Sequence, residues 1–350
     1  MKNLTILTSG AHGGYGGIDK YVKNIIDVLA QKKNIFKISI FSKNYIYLNK
    51  KNLTIKTSKN YYPFLIFRNI INIYKSDLII VTHINLIVYL FFLFSSNKKI
   101  LLFSYGLDIW GGRKNFFYQI FIKKIKYFIS MREYTLYKQK QIYQIKPKLE
   151  FLLHNPLDKI IKKPKINKRK KIIITVARLD SREKNIGIDE TLESMTLIKK
   201  INFKYFIIGE GTDKKRLIKK AKELNIDQHV FFKGYLNDKA KNTLLKQSKV
   251  FLMPGSRDTF DTYPYRFAFL EAASNGLHII ASKPLKKEII EAKQYKNFNF
   301  VNPNNKNVLI KKIIKLLNKK NFLCNKLIQN HSLTTFNLKL MSYVKNILND

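Results

Sequence analysis

The sequence predicts an α/β protein of two doubly wound parallel-sheet domains facing a cleft. Three observations predict it. Short apolar, β-rich runs alternate with longer helical patterns from end to end; the alternation falls into two series; and a stretch with two prolines and many lysines, HNPLDKIIKKPKINKRKK (154–171), parts them. Alternating strands and helices favour parallel sheets, and two series imply two sheets. A length of 350 residues suits two domains of ordinary size. The expected division is 1–165, 166–332, and a C-terminal helix over 333–350 that returns toward the N-terminal domain.

In the first series, Leu4–Thr8, Lys37–Phe41, Leu78–Thr82, Ile100–Ser104 and Tyr127–Ser130 read as strands, with a helical stretch at Ile18–Gln31. In the second, Ile172–Ala177, Phe203–Ile208, Val230–Lys233, Val250–Met253 and His278–Ala281 do the same. The N-terminal MKNLTILTSG has too short an apolar run for a secretory signal and reads as the first strand. Leu78–Phe94 is the longest apolar stretch, but Asp77 precedes it and His83 and Asn85 interrupt it. Strand, turn and helix therefore fit it better than a membrane span.

The single cysteine, Cys324, excludes an internal disulfide and a Cys-cluster metal site, and fits a reducing compartment. The formal net charge is +43. It is spread evenly: 29 Lys/Arg against 7 Asp/Glu in residues 1–165, and 37 against 16 in 166–350. A nucleic-acid binder or a membrane-docking protein usually concentrates its charge on one face or arm, so this even spread does not choose between them. Such a surface still attracts anions, phospholipid and nucleotide included.

Ligands of open parallel sheets bind at the carboxyl ends of the strands, so a functional residue should directly follow a strand. Four stretches pass that filter. SGAHGGYGGIDKYVKNIIDVLA (9–30) puts Gly13, Gly14, Gly16 and Gly17 between a strand and an amphipathic helix. Bare N–H groups there make an anion site; the other reading is a flexible turn. ITVARLDSREKN (174–185) places Arg178 just after a strand with Lys184 six residues on. A guanidinium there can grip a phosphate with two hydrogen bonds, and the lysine adds a mobile charge; Arg182 reads as solvated. FKYFIIGEGTDKKRL (203–217) turns at Gly209 and Gly211, either to pass close to a ligand or only to meet the φ angles of the turn. VFLMPGSRDTFDTYPYRFAFLEAASNG (250–276) leads through a Pro-Gly-Ser loop into a helix carrying Glu271. Two hydroxyls of a ribose would satisfy that carboxylate; so would one of the many lysines.

These four elements, in this order, resemble a GT-B glycosyltransferase of the family 4 type, glycosyl transferases group 1. The matching pieces are GGIDKYVKNIIDVLA, VARL with Lys184 six residues after Arg178, IIGEGTDKKRL, FFKGYL, and MPGSRD leading to FLEAASNGLHIIAS, with HNPLD at the crossover. The resemblance spans nearly the whole chain and is stronger in its C-terminal half. It implies the GT-B fold, and transfer of a sugar from a nucleoside-diphosphate sugar with retention, without an obligatory metal or other cofactor. It also implies Gly16 and Gly17 near the donor diphosphate, Arg178 and Lys184 on its oxygens, and Glu271 on the ribose.

The sequence departs from the family pattern twice. The family has two glutamates spaced E-x7-E, and counting back eight from Glu271 gives Tyr263. Arg266 stands where a glycine is common, and Asp258 and Asp261 could substitute for the absent acid if the loop bulges. In ILLFSYGLDIW (100–110), Tyr105 takes the place of the family's histidine, while Gly106, Asp108 and Trp110 fit. Tyr105 and Asp108 thus join Arg178 and Lys184 as catalytic candidates. His83 and His12 are alternative histidines for the cleft, His83 equally a packing or helix-start residue.

KNFFYQIFIKKIKYF (114–128) interleaves aromatics with lysines. It reads either as a basic amphipathic helix on an anionic leaflet or as an outer helix packing Phe117, Ile120 and Phe121 on the sheet. The expected partners are a nucleotide-sugar donor, a glycan or lipid-linked glycan acceptor and an anionic membrane surface, but no nucleic acid. The expected setting is the cytoplasm, peripheral on the inner face of the cytoplasmic membrane, in lipopolysaccharide or other surface-polysaccharide synthesis. A non-catalytic GT-B partner that binds glycan or nucleotide is the alternative.

Overall fold

A computed structural model describes the chain except residues 11–15, 47, 49, 94, 111–115, 158–168, 182–186, 256–264, 284–285 and 303. It forms two units, Met1–Pro156 with Leu333–Asp350, and Leu157–Ser332.

The first unit holds seven strands: β1 (Lys2–Thr8), β2 (Phe36–Ser42), β3 (Leu53–Thr57), β4 (Leu78–Val81), β5 (Ile100–Ser104), β6 (Tyr127–Ser130) and β7 (Leu149–Leu152). They pair in parallel in the order β3-β2-β1-β4-β5-β6-β7. Ile6, Leu7, Ile79, Ile80, Leu101 and Leu102 are buried on both faces, because a parallel sheet is covered by helices on both sides. The second unit holds β8 (Ile172–Val176), β9 (Lys204–Ile208), β10 (Val230–Gly234), β11 (Val250–Met253), β12 (His278–Ser282) and β13 (Phe298–Val301). These too are all parallel, ordered β10-β9-β8-β11-β12-β13. Two doubly wound parallel sheets are therefore present, as the alternation predicts.

Every strand read from the sequence is found, and three more are present: β3, β7 and β13. Each is an edge strand, hydrogen-bonded on one side only, with a polar residue interrupting its apolar run. After β4 the helical stretch expected there takes 3-10 form over Ile84–Leu93, broken at Leu90. Among the described residues no helix is long and apolar enough to cross a membrane.

The last helix, Leu333–Asn349, packs within the first unit. Its Tyr343 stacks on Phe151 at 4.3 Å between ring centres and donates its hydroxyl to the Leu152 carbonyl at 3.1 Å. Phe336 meets the edge of Tyr21, whose hydroxyl donates to the Leu153 carbonyl at 2.7 Å.

In the second unit a buried guanidinium, Arg169, ties the chain entering β8 to two helix ends. It donates to the carbonyls of Ser248 (2.7 Å) and Asn275, the C-terminal caps of helices Asp238–Gln247 and Phe267–Ser274. A cation there satisfies orphan carbonyls and opposes the partial negative charge of two helix termini.

A second network joins three outer helices. Arg216 grips Asp189 with two hydrogen bonds of 2.8 and 2.6 Å and also holds Asp213. Lys220 bridges Asp189 and Glu193, and Lys306 reaches Glu193 at 2.9 Å. The Arg216 hydrogen bonds, against burial and aided by Lys220, bring the Asp189 carboxyl down to about 2. Burial alone would raise Glu193, but Lys220 and Lys306 overcome it and bring this carboxyl to about 2 as well. Both folded values lie below the ordinary carboxylate range of about 4. The network's contribution is thus whole above that range and is lost as pH falls toward 2. Asp189→Asn should lower the thermal midpoint at neutral pH and flatten its decline between about pH 5 and 2. A thermal scan across pH checks this, and an unchanged acid slope would contradict it.

Candidate functional site

The carboxyl ends of β8, β9 and β11 bring three loops together in the second unit. The chain leaving β8 runs Ala177-Arg178-Leu179, and the chain leaving β9 runs Gly209-Glu210-Gly211. Beyond the strands the two continue side by side: Ala177 N–H donates to Ile208 O (3.0 Å) and Leu179 N–H to Glu210 O (2.9 Å). The approach is close enough to require glycine. A Cβ on Gly209 would lie 1.8 Å from Ala177 O, and one on Gly211 would lie 2.1 Å from Leu179 O. The third loop is drawn in the same way. A Cβ on Gly187 would lie 2.0 Å from the carbonyl of Gly255, two residues past β11. Gly209 and Gly211 thus have a structural duty as well as the ligand approach read for them. Their contacts fix where Arg178 emerges, with its side chain exposed at the strand end.

Glu271 lies on the helix Phe267–Ser274, and Lys241 Nζ meets its Oε2 at 2.9 Å. Lys241, on the helix Asp238–Gln247, also contacts Asp238 at 3.0 Å. Both side chains of the Lys241–Glu271 pair are largely buried. Burial alone would lower the Lys241 ammonium, but Glu271 and Asp238 outweigh it and raise it above the ordinary lysine value. Glu271 therefore has a lysine partner, one of the two readings from sequence. Arg266 occupies the N-cap position of the Glu271 helix and makes no side-chain cap hydrogen bond.

The first unit gathers its candidates at the carboxyl ends of β1, β4 and β5, three adjacent strands. Gly16 precedes the helix Gly17–Ala30; its backbone is extended, and among the described residues nothing lies within 4 Å of the position where a Cβ would project. The helix N-terminus has no side-chain cap from Gly16, and Asp19 in its first turn works against an anion there. After β5, Asp108 accepts from the N–H groups of Gly106 (2.6 Å) and Tyr105 (3.3 Å). That contact caps the short helix Leu107–Trp110 from within, in the manner of a capping box. It gives Asp108 a holding role that the sequence reading did not anticipate.

Tyr105 is buried between the edge of Tyr21 (6.0 Å) and the stacked ring of His83 (6.4 Å). Its hydroxyl has no hydrogen-bond partner among the described residues. Burial, and then the charges of Asp108 and Asp19, push the phenol well above its ordinary value, so it is a hydrogen-bond donor and never an anion at neutral pH. His83 Nδ1 accepts the Asn85 N–H at 3.2 Å, a local turn contact.

Lys184, Tyr263, Asp258, Asp261, Arg182, His12, Gly13 and Gly14 lie outside the described residues. In the helix Phe116–Lys124, Tyr118 and Phe121 pack against the core, which favours the packing reading there; the Phe117 side chain lies outside the description. No group of three or more His, Cys, Asp or Glu among the described residues could hold a metal ion. Sequence reasoning missed Lys241 and Gly187. Lys241 sits thirty positions from its partner with no local signal, whereas Gly187 stands immediately before a predictable helix start.

Because the Tyr105 hydroxyl gives up no protein contact on deletion, Tyr105→Phe should leave the thermal midpoint unchanged or raise it. A loss matching about 1 kcal/mol, the worth of one neutral hydrogen bond, would show that the hydroxyl serves the fold. Thermal denaturation of the two proteins decides this.

Three comparisons with known proteins bear on this arrangement. No curated protein sequence matches the chain. Among solved structures, the apo lipopolysaccharide outer core galactosyltransferase WaaB superposes with a TM-score of 0.69 at 15% identity, over 98% of this chain and 99% of that one. HepE of Anabaena, solved with UDP and glucose, gives 0.70 at 11% identity, over 99% and 100%. Sucrose-phosphate synthase from Thermosynechococcus elongatus gives 0.73 at 14% identity, over the full length of both. The fold is thus GT-B. Residues 156–333, which include Arg178, the glycine loops and the Lys241–Glu271 pair, match the family described as glycosyl transferases group 1. The chain belongs to the glycosyl transferases group 1 family, and is a glycosyltransferase.

Proposed function

We propose that the protein transfers a sugar, with retention at the anomeric carbon, from a nucleoside-diphosphate sugar to a glycan acceptor. The observation that carries this reading is the placement of Arg178 at the end of β8, where glycine loops from β9 and β11 close around the strand end. In the reaction the bond from the anomeric carbon to the diphosphate oxygen breaks. The acceptor hydroxyl oxygen bonds to that carbon, and its proton leaves to the phosphate. Negative charge grows on the diphosphate, and stabilising that charge is the main catalytic task.

Arg178 supplies a two-pronged cationic contact to it, Lys184 a second charge, and the helix start at Gly16 and Gly17 additional N–H donors. Cationic side chains, rather than a bound metal, do this work. Glu271, oriented by Lys241, accepts the ribose hydroxyls. Tyr105 supports the site from beneath as a buried neutral side chain, and the transferred sugar is met at the Tyr263 position, with Arg266 adding positive charge. The acceptor is a glycan on a lipid carrier or a lipopolysaccharide core at the inner face of the cytoplasmic membrane. The WaaB likeness supports this choice of acceptor.

A panel of nucleoside-diphosphate sugars, screened for thermal stabilisation and slow hydrolysis, should contain at least one hit. With that donor, Arg178→Ala should lose about 2–5 kcal/mol of donor binding or transfer, roughly tens- to thousands-fold, while keeping its thermal midpoint. Near wild-type rates in Arg178→Ala would remove the diphosphate assignment.

A further inference from the structure

The helices Tyr62–Phe67 and Ile70–Tyr74 follow β3 and run almost into one another through Arg68 and Asn69. Their inner face is committed to the core: Tyr62, Ile66 and Ile73 are buried, and Tyr62 donates its hydroxyl to Phe41 O at 3.1 Å. The outer face of such a helix is ordinarily polar. Here it is not. Phe64, Phe67, Ile71 and Tyr74 are 57%, 66%, 68% and 52% exposed. Their spacing of three, four and three residues puts them in one stripe. Elsewhere this chain fills solvent-facing helix positions with lysine, as in KKRLIKKAKE (214–223). Four large apolar side chains in a row are a departure from its own habit.

The charge along the stripe is basic, and Asp77, just past its end, is held by Lys2 at 3.3 Å and offset by Lys98. Arg68 and Lys75 follow Phe64 and Ile71 by four residues, on the same side of the helices. The Arg68 guanidinium lies 5.6 Å from the Phe64 ring centre, and the Lys98 ammonium 4.8 Å from that of Tyr74. No acidic residue occurs between Asp27 and Asp77. A second copy of a chain with net charge +43 would bring like charges together on this face, which is costly. An anionic surface with an apolar interior satisfies both the stripe and its cationic border.

We infer that this face lies on an anionic phospholipid bilayer. Phe64, Phe67, Ile71 and Tyr74 sit at the acyl boundary, with Arg68 and Lys75 at the level of the phosphates. The inference deepens the reading of a membrane-held acceptor and rests on it for its purpose. It moves the contact away from the helix Phe116–Lys124, whose Tyr118 and Phe121 pack inward.

The test is co-sedimentation of the full chain with vesicles of phosphatidylethanolamine containing phosphatidylglycerol, against vesicles of phosphatidylcholine alone. The wild type should pellet with the anionic vesicles and weakly with the neutral ones. The triple variant Phe64→Ser, Phe67→Ser, Ile71→Ser should lose about tenfold or more of that partitioning. Its thermal midpoint and slow donor hydrolysis in vesicle-free buffer should stay those of the wild type. In a second variant, Ile71→Trp, tryptophan emission should shift to the blue on adding anionic vesicles. The inference is overturned if the triple variant pellets like the wild type, if both vesicle types capture the protein equally, or if the Ile71→Trp emission does not move. It is also overturned if the stripe instead mediates a concentration-dependent dimer that the triple variant abolishes. Intact vesicle binding with no donor hydrolysis by either protein would remove the donor reading and leave this surface standing.

Discussion

The backbone contact between the ends of β8 and β9 is the constraint on which the site depends. Two strands that diverged beyond Val176 and Ile208 would send their loops apart, and Arg178 would emerge at no defined place. Instead Gly209 and Gly211 let the second chain lie directly on the carbonyls of Ala177 and Leu179, and the ladder continues past the sheet edge. An alanine Cβ 1.8 Å from a backbone oxygen cannot be absorbed by a flexible side chain, so the loops would have to separate. Gly187 against Gly255 imposes the same demand on the other flank. The glycines therefore act on the site through geometry whether or not a ligand touches them.

Electrostatics is distributed to match. Most of the net charge of +43 is solvated lysine and specifies nothing. Several fixed charges are paired with acids: Arg216 with Asp189 and Asp213, Lys220 with Asp189 and Glu193, Lys241 with Glu271 and Asp238, whereas Arg169 is held by two helix-end carbonyls. The Lys241–Glu271 pair is largely buried and differs from the others in involving the helix that follows β11. A buried pair of this kind contributes more to orientation than to stability, because desolvation offsets much of its attraction. An oriented carboxylate is what recognition of a hydroxyl pair requires.

The buried strands were legible because each is a short apolar run flanked by helices. β3, β7 and β13 were not, since an edge strand such as LTIKT or LEFL needs only one apolar side and looks like any loop of this lysine-rich chain. Arg178 could be picked out from 66 basic residues because a strand end is a special place, whereas Arg169 could not. It stands in a run of lysines, and only its burial against two helix ends distinguishes it. For Glu271 the sequence posed the right question, but its partner comes from another helix and no local spacing points to Lys241. The Asp108 cap was readable in principle, an acid two residues after a glycine at a helix start. The Phe64, Phe67, Ile71, Tyr74 stripe was also present in the sequence. It is hidden there by Tyr62, Ile66 and Ile73, which make the segment look uniformly apolar.

Hydrogen–deuterium exchange of the whole chain, with and without uridine, adenosine, guanosine and cytidine diphosphates, tests the proposed donor-phosphate site most directly. At least one nucleotide should slow exchange at Arg178–Asp180 and Gly209–Asp213, the amides at the carboxyl ends of β8 and β9. The opposite, amino end of the same strands offers a competing basic groove lined by Lys170, Lys171 and Lys204. Protection confined to that groove, or no protection by any of the four nucleotides in a protein active as a transferase, would contradict the account.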